Sequence, residues 1–185
     1  MRTKIWIAAV IAGMMLTIGF WNAQGEEGGL WSKLKGRGAE VGVVRDERYQ
    51  KECGACHLAY PAALLPARSW QKLMGGLSNH FGDNAELGPA DQKAVTDYLT
   101  VNAADQSQSK RSMKLVRSLR PEEVPVRITE VPYIADKHRK IPGRMIQGNP
   151  KVKSLGQCNA CHAGADKGSF HEDTVSIPGV GRFDD

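Results

Sequence analysis

Residues 52–57 read Glu-Cys-Gly-Ala-Cys-His, and residues 157–162 read Gln-Cys-Asn-Ala-Cys-His. The chain has four cysteines in 185 residues, so these two C-x-x-C-H units consume every one of them. On a helical turn, positions i, i+3 and i+4 share roughly one face. Cys53, Cys56 and His57 would therefore offer two thiols and an imidazole to the same side, and Cys158, Cys161 and His162 would do likewise.

That arrangement suits one chemistry above others. Two thiols at this spacing can add to the vinyl groups of a haem as thioethers, while the next imidazole binds the iron; C-x-x-C-H is the attachment pattern of c-type haem. Cys53, Cys56, Cys158 and Cys161 are thus the expected thioether residues, and His57 and His162 the expected proximal iron ligands. A Zn(Cys)4 site would normally hold its two pairs closer in sequence, whereas 101 residues separate Cys56 from Cys158. A thioredoxin-like dithiol would require βαβ patterning, and strand-like alternation is almost absent. Two plain disulfides would suit an exported chain but leave both histidines unexplained.

Export itself is expected. Arg2 and Lys4 precede the uncharged run Ile5–Trp21, and Ala23 and Gly25 supply small residues before Glu26. Residues 1–25 therefore read as a secretory signal peptide, and the mature chain as periplasmic. Uncleaved, residues 5–21 would instead associate the protein with the membrane, since their length is near the lower limit for a span. The net charge of +5 falls to +3 once Arg2 and Lys4 are removed. That is too mild to imply nucleic acid, and no basic helix is interleaved with aromatics.

The periodicity is helical. Residues 26–45 are Gly-rich and charged and read as a flexible lead-in. A helix is expected from Asp46 to about Leu58, and another from Ala67 to Leu77 carrying Trp70, Leu73, Met74 and Leu77 on one face. A third starts at Pro89, with Val95, Tyr98 and Leu99 facing inward. The polar stretch 103–112 reads as a linker or a solvated helical extension. Three prolines make 119–133 an extended connection. Thr129 is the expected cap of a short helix ending near His138, and Asn149-Pro150 the start of one leading to the second C-x-x-C-H. The tail from Phe170 has no helical period. The organisation is then a first haem-binding half at 46–103, a connector at 104–128 and a second half at 129–185. The fold class is all-α, helices and long loops packed around two covalently bound haems. With 6% aromatic residues, the chain needs those apolar slabs as core.

Each iron wants a second axial ligand. His80 follows His57 by 23 residues at a helix end, and His138 precedes His162 by 24, among basic residues. His171 and Met145 are the rivals for the second iron. The candidate ligand follows the first C-x-x-C-H but precedes the second, so the halves are no tandem repeat.

The stretch ECGACHLAYPAALLPARSWQKLMGGLSNHFGDNAEL (52–87), with KHRKIP, QCNACHAGADKGSF and IPG further on, resembles the bacterial dihaem cytochrome c family known as DHC. The likeness spans nearly all of the chain beyond the signal. It implies a periplasmic electron carrier, not an enzyme, with two haem c groups and bis-histidine ligation: His57 and His80 on the first iron, His162 and His138 on the second. It also implies redox partners, a membrane cytochrome b and a small oxygen-binding monohaem cytochrome c. Two other readings compete. A peroxidase-like dihaem oxidoreductase would need one open iron. The dihaem subunit of a periplasmic nitrate reductase has similar size, but LPARSW and NHFGDN do not suggest it.

Overall fold

The computed structural model describes residues 39–183. The expected signal peptide, and the lead-in up to residue 38, lie outside them. Six α-helices are described: α1 Glu47–Gly54, α2 Ala67–Met74, α3 Pro89–Val101, α4 Lys110–Arg117, α5 Pro132–His138 and α6 Cys158–Cys161, joined by short 3₁₀ turns. None is long and apolar enough to cross a membrane.

The centre of the molecule is a turn rather than a helix. Residues 61–66, Pro-Ala-Ala-Leu-Leu-Pro, are all buried. Within it, only the Leu64 and Leu65 amides donate, to the Pro61 and Ala62 carbonyls, and the two prolines have no N–H to offer, so further partners come from elsewhere. Trp70 Nε1 donates to the Ala62 carbonyl at 2.7 Å, Ser112 Oγ to that of Ala63 at 3.0 Å, and the Ala104 amide to that of Leu65 at 2.9 Å. Helices α2 and α3 pack beside the turn through Trp70, Met74, Val95 and Leu99, all at most 2% exposed. Gln92 on α3 caps the Met74 carbonyl at the end of α2.

Helix α3 and the short α5 occur as expected. Elsewhere the chain departs from its local pattern. Helix α1 is capped by Asp46, which accepts from the Tyr49 amide, but it stops at Gly54, leaving Cys56 and His57 in the following turn. Helix α2 ends at Met74, where two glycines follow, and Leu77 opens a separate 3₁₀ turn. The polar stretch 103–112 is not a solvated linker: Ala103 and Ala104 are buried, and Ser109 caps α4, whose Leu115 enters the core. Thr129 lies within a 3₁₀ turn, and Val131 occupies the cap position of α5. Asn149 opens a single turn and no helix: its Oδ1 accepts from the Lys151 amide and its carbonyl from the Val152 and Lys153 amides, but Lys153 takes a left-handed φ of 68° and the turn ends there. The tail forms a hairpin of two-residue strands, Ser176–Ile177 and Gly181–Arg182, that buries Ile177.

The last residues of the expected flexible lead-in are packed. Val41 and Val44 are buried, and the Glu40 and Val41 amides both donate to the Gly168 carbonyl. Gly168 has φ +68°, and a Cβ there would overlap the Gly42 backbone, so only glycine fits this crossing.

Candidate functional site: two histidine pairs

The first pair is held by two turns. His57 follows α1, and its Nδ1 donates to the Leu58 carbonyl at 2.7 Å. A carbonyl oxygen can only accept, so the proton sits on Nδ1 and Nε2 keeps a free lone pair. His80 lies in a tight reversal: its amide donates to the Asp83 carbonyl at 2.7 Å, and the Asn79 side chain accepts from the Gly82 amide. Phe81 takes φ 59°, a left-handed conformation unusual for a bulky residue. Its ring packs on His80, and the Arg127 guanidinium lies over that ring, 3.9 Å from its centroid. The His57 and His80 rings face each other with centroids 6.1 Å apart and planes 22° apart.

The second pair joins α5 to α6. His138 ends α5, and its Nδ1 donates to the Ile134 carbonyl at 2.8 Å, again leaving Nε2 free. His162 caps the four-residue α6. The two centroids are 6.2 Å apart, with planes at 69°. Both rings line a cavity of about 370 Å³, together with Cys158, Cys161 and apolar residues such as Leu64 and Phe170. Cofactor sites have about this size. His171 and Met145 do not line it: His171 lies toward Glu40, and Met145 packs in the cluster of Ile146, Val152 and Ile177.

A metal–imidazole bond of about 2 Å on each side, plus about 1 Å from nitrogen to ring centre, separates trans imidazole centroids by roughly 6 Å. Both pairs meet that spacing. Burial, and then each partner imidazole, lowers the pKa of His80 and pushes His162 down to about 4, so both rings are neutral and able to bind metal at neutral pH. The buried Nδ1 of His162 and the buried Nε2 of His171 have no hydrogen-bond partner among the described residues.

The thiols fit the same group. All four cysteines are free, and burial pushes Cys53 and Cys158 up to about 11, the reverse of a reactive redox dithiol. Among the described residues no three His, Cys, Asp or Glu side chains converge as a metal cage. Two axial histidines beside two thiols suit an iron whose four remaining ligands come from a porphyrin.

Several residues around the pairs carry no sequence signal of their own. Tyr60 stacks on His57 at 4.9 Å, and Phe170 packs on His162 at 5.3 Å. Arg111, on the helix expected to be a linker, lines the second cavity and is ion-paired with Glu40. Glu40 also accepts from the Phe170 amide at 2.7 Å, fixing the ring that covers His162.

Comparison with known proteins agrees with this geometry. The dihaem cytochrome c family, DHC, matches residues 49–170. Among solved structures, the dihaem cytochrome c of Shewanella baltica OS155 is 44% identical, with a TM-score of 0.63 over 77% of this chain and 100% of that one. A dihaem cytochrome c from Rhodobacter sphaeroides is 46% identical, with a TM-score of 0.62 over 69% of this chain and 98% of that one. No curated protein matches. With two covalently attached haem c groups and a mostly helical fold, the chain belongs to the dihaem cytochrome c family, whose business is electron transfer.

Proposed function

We propose that the chain is a periplasmic electron carrier whose two haems are both six-coordinate. His57 and His80 ligate the first iron, with Cys53 and Cys56 as its thioether residues. His162 and His138 ligate the second, with Cys158 and Cys161. The observation that carries this reading is the pair of centroid separations, 6.1 and 6.2 Å, in two unrelated local settings.

Two closed irons can change oxidation state without gaining or losing a ligand, so little rearrangement opposes transfer. Bis-imidazole ligation favours the ferric state relative to His/Met ligation and sets low reduction potentials. Hydrogen bonds from Nδ1 of His57 and His138 to carbonyls hold those rings in orientation and raise their basicity, which favours ferric iron further. The donor and acceptor of the electrons are a membrane cytochrome b and a small monohaem cytochrome, as the family resemblance implies. Surface charge near the haem edges steers their docking.

The test is the optical spectrum of the reduced, haem-loaded protein before and after carbon monoxide. No change is expected. Gas binding at either haem would show an open iron, overturn bis-histidine ligation at that site and favour an oxidoreductase.

A further inference from the structure

Tyr60 touches the first histidine pair with its ring and the segment leading to the second attachment unit with its hydroxyl. Its ring stacks on His57, with centroids 4.9 Å apart and planes 22° apart. Its hydroxyl donates to the Gly156 carbonyl at 2.7 Å, across 96 residues of sequence. The same carbonyl accepts from the Cys158 amide at 3.0 Å, using its second lone pair. Tyr60 is itself fixed from behind, because buried Tyr49 donates its hydroxyl to the Tyr60 carbonyl at 2.8 Å. The sequence from the first proximal histidine to the second attachment cysteine is therefore one ring contact, one phenol and two hydrogen bonds.

We propose that Tyr60 is the bridge for electron exchange between the two haem sites. The inference rests on the reading that His57 binds the first iron and Cys158 anchors the second haem. One electron passes from the ferrous to the ferric site, so the first is oxidised as the second is reduced, or the reverse. No bond breaks and no proton moves. Tyr60 is not itself oxidised; its orbitals mediate the transfer between the ring it stacks on and the carbonyl it binds. The Gly156 carbonyl can only accept, so the Tyr60 hydroxyl donates the proton that makes the second link. Replacing the hydroxyl by hydrogen leaves the ring contact and opens the link to Gly156; removing the ring opens both.

The experiment uses the full, haem-loaded chain and the variants Tyr60→Phe and Tyr60→Leu. Intramolecular exchange is read from NMR line shapes of the half-reduced protein, alongside both midpoint potentials, the carbon monoxide spectrum and the Cys158 amide resonance. Expected are no gas binding and a shifted Cys158 amide in both variants, potentials held close to the parent in Tyr60→Phe, which keeps the ring on His57, and exchange severalfold slower in Tyr60→Phe and slower again in Tyr60→Leu. A residue that only held the halves together would lower thermal stability and leave exchange in Tyr60→Phe at the parent rate; that result overturns the bridge. So would gas binding in the variants alone, which would assign Tyr60 to holding His57 on its iron. Gas binding by the unsubstituted protein is a different failure, that of the ligation on which the bridge rests. Should Tyr60→Leu not retain both haems, the near-isosteric Tyr60→Phe decides the question alone.

Discussion

The two regions that carry the histidine pairs are built on unequal cores. Around the first, fifteen buried apolar residues from Val41 to Val131 form one cluster, braced by α2 and the thirteen-residue α3. Around the second, the separate cluster has Ile146, Val152 and Ile177 as its buried residues, with partly buried neighbours such as Ile141, Met145, Leu155 and Phe183, set among 3₁₀ turns, a four-residue helix and a hairpin of two-residue strands. So small a cluster cannot offset the entropy of ordering some forty residues at about 1.5 kcal/mol each. The first region is protein packed beside a haem; the second is protein packed by one. Yet the imidazole spacing is the same in both. The distance is what one iron held by each pair would require, whereas the ring orientations, 22° and 69°, follow from whichever elements deliver the rings.

The strongest way to break this contrast is to deny the second region its haem. In Cys158→Ala/Cys161→Ala, a cavity of 370 Å³ would cost at most roughly 9 kcal/mol at about 24 cal/mol per Å³. Because the mouth admits water, the true cost is smaller, but it still rivals the whole stability of a small domain. Hydrogen exchange should show residues 141–183 losing protection while 67–101 stay protected. Equal protection in both would refute the unequal-core account.

Next in size is Leu99→Ala, in the protein-packed region, with an expected loss of about 2–5 kcal/mol and both haems retained. Chemical denaturation with haem absorbance measures both. Gly168→Ala should follow, at about 2–3 kcal/mol, because a left-handed residue would be forced against the Gly42 backbone. Gly42→Ala, with open space around its Cβ, is the control and should cost about 1 kcal/mol. If Gly168→Ala melts no earlier than Gly42→Ala, the crossing does not seal the second region. The mildest effect is spectroscopic: the two ferric sites should give distinct low-spin EPR signals, rhombic for near-parallel imidazoles and strongly anisotropic for near-perpendicular ones. A single signal would mean that the haems reset the ring planes.

Much of the first region was legible because its information is local. Pro89, Val95 and Leu99 announce α3, and a histidine in NHFGD announces a turn that displays it. The near-perpendicular approach of His138 and His162 has only basic neighbours and spacing as its signal in the sequence, which give no view of the cavity. Helix α4 escaped notice because its buried face includes Ser112, a residue whose hydroxyl is satisfied by Ala63, 49 positions away. The helix expected from Asn149 stops after one turn at Lys153, whose left-handed φ of 68° no local pattern announces. Glu40, Arg111 and Phe170 meet across 71 and 130 residues, where no local pattern exists to be read.

That last contact sets a timetable. The segment around Glu40 leaves the ribosome early, but its partners, the Gly168 carbonyl that accepts from it and the Phe170 amide that donates to it, arrive only near the end. Joining them across 130 residues costs about 4 kcal/mol in loop closure if nothing else has drawn the chain together. By then both attachment units have already been delivered, the second just ahead of the acceptor itself. The clasp is thus the molecule's final stitch, and a chain that has not gathered its closing residues around a second haem has nothing to stitch it to.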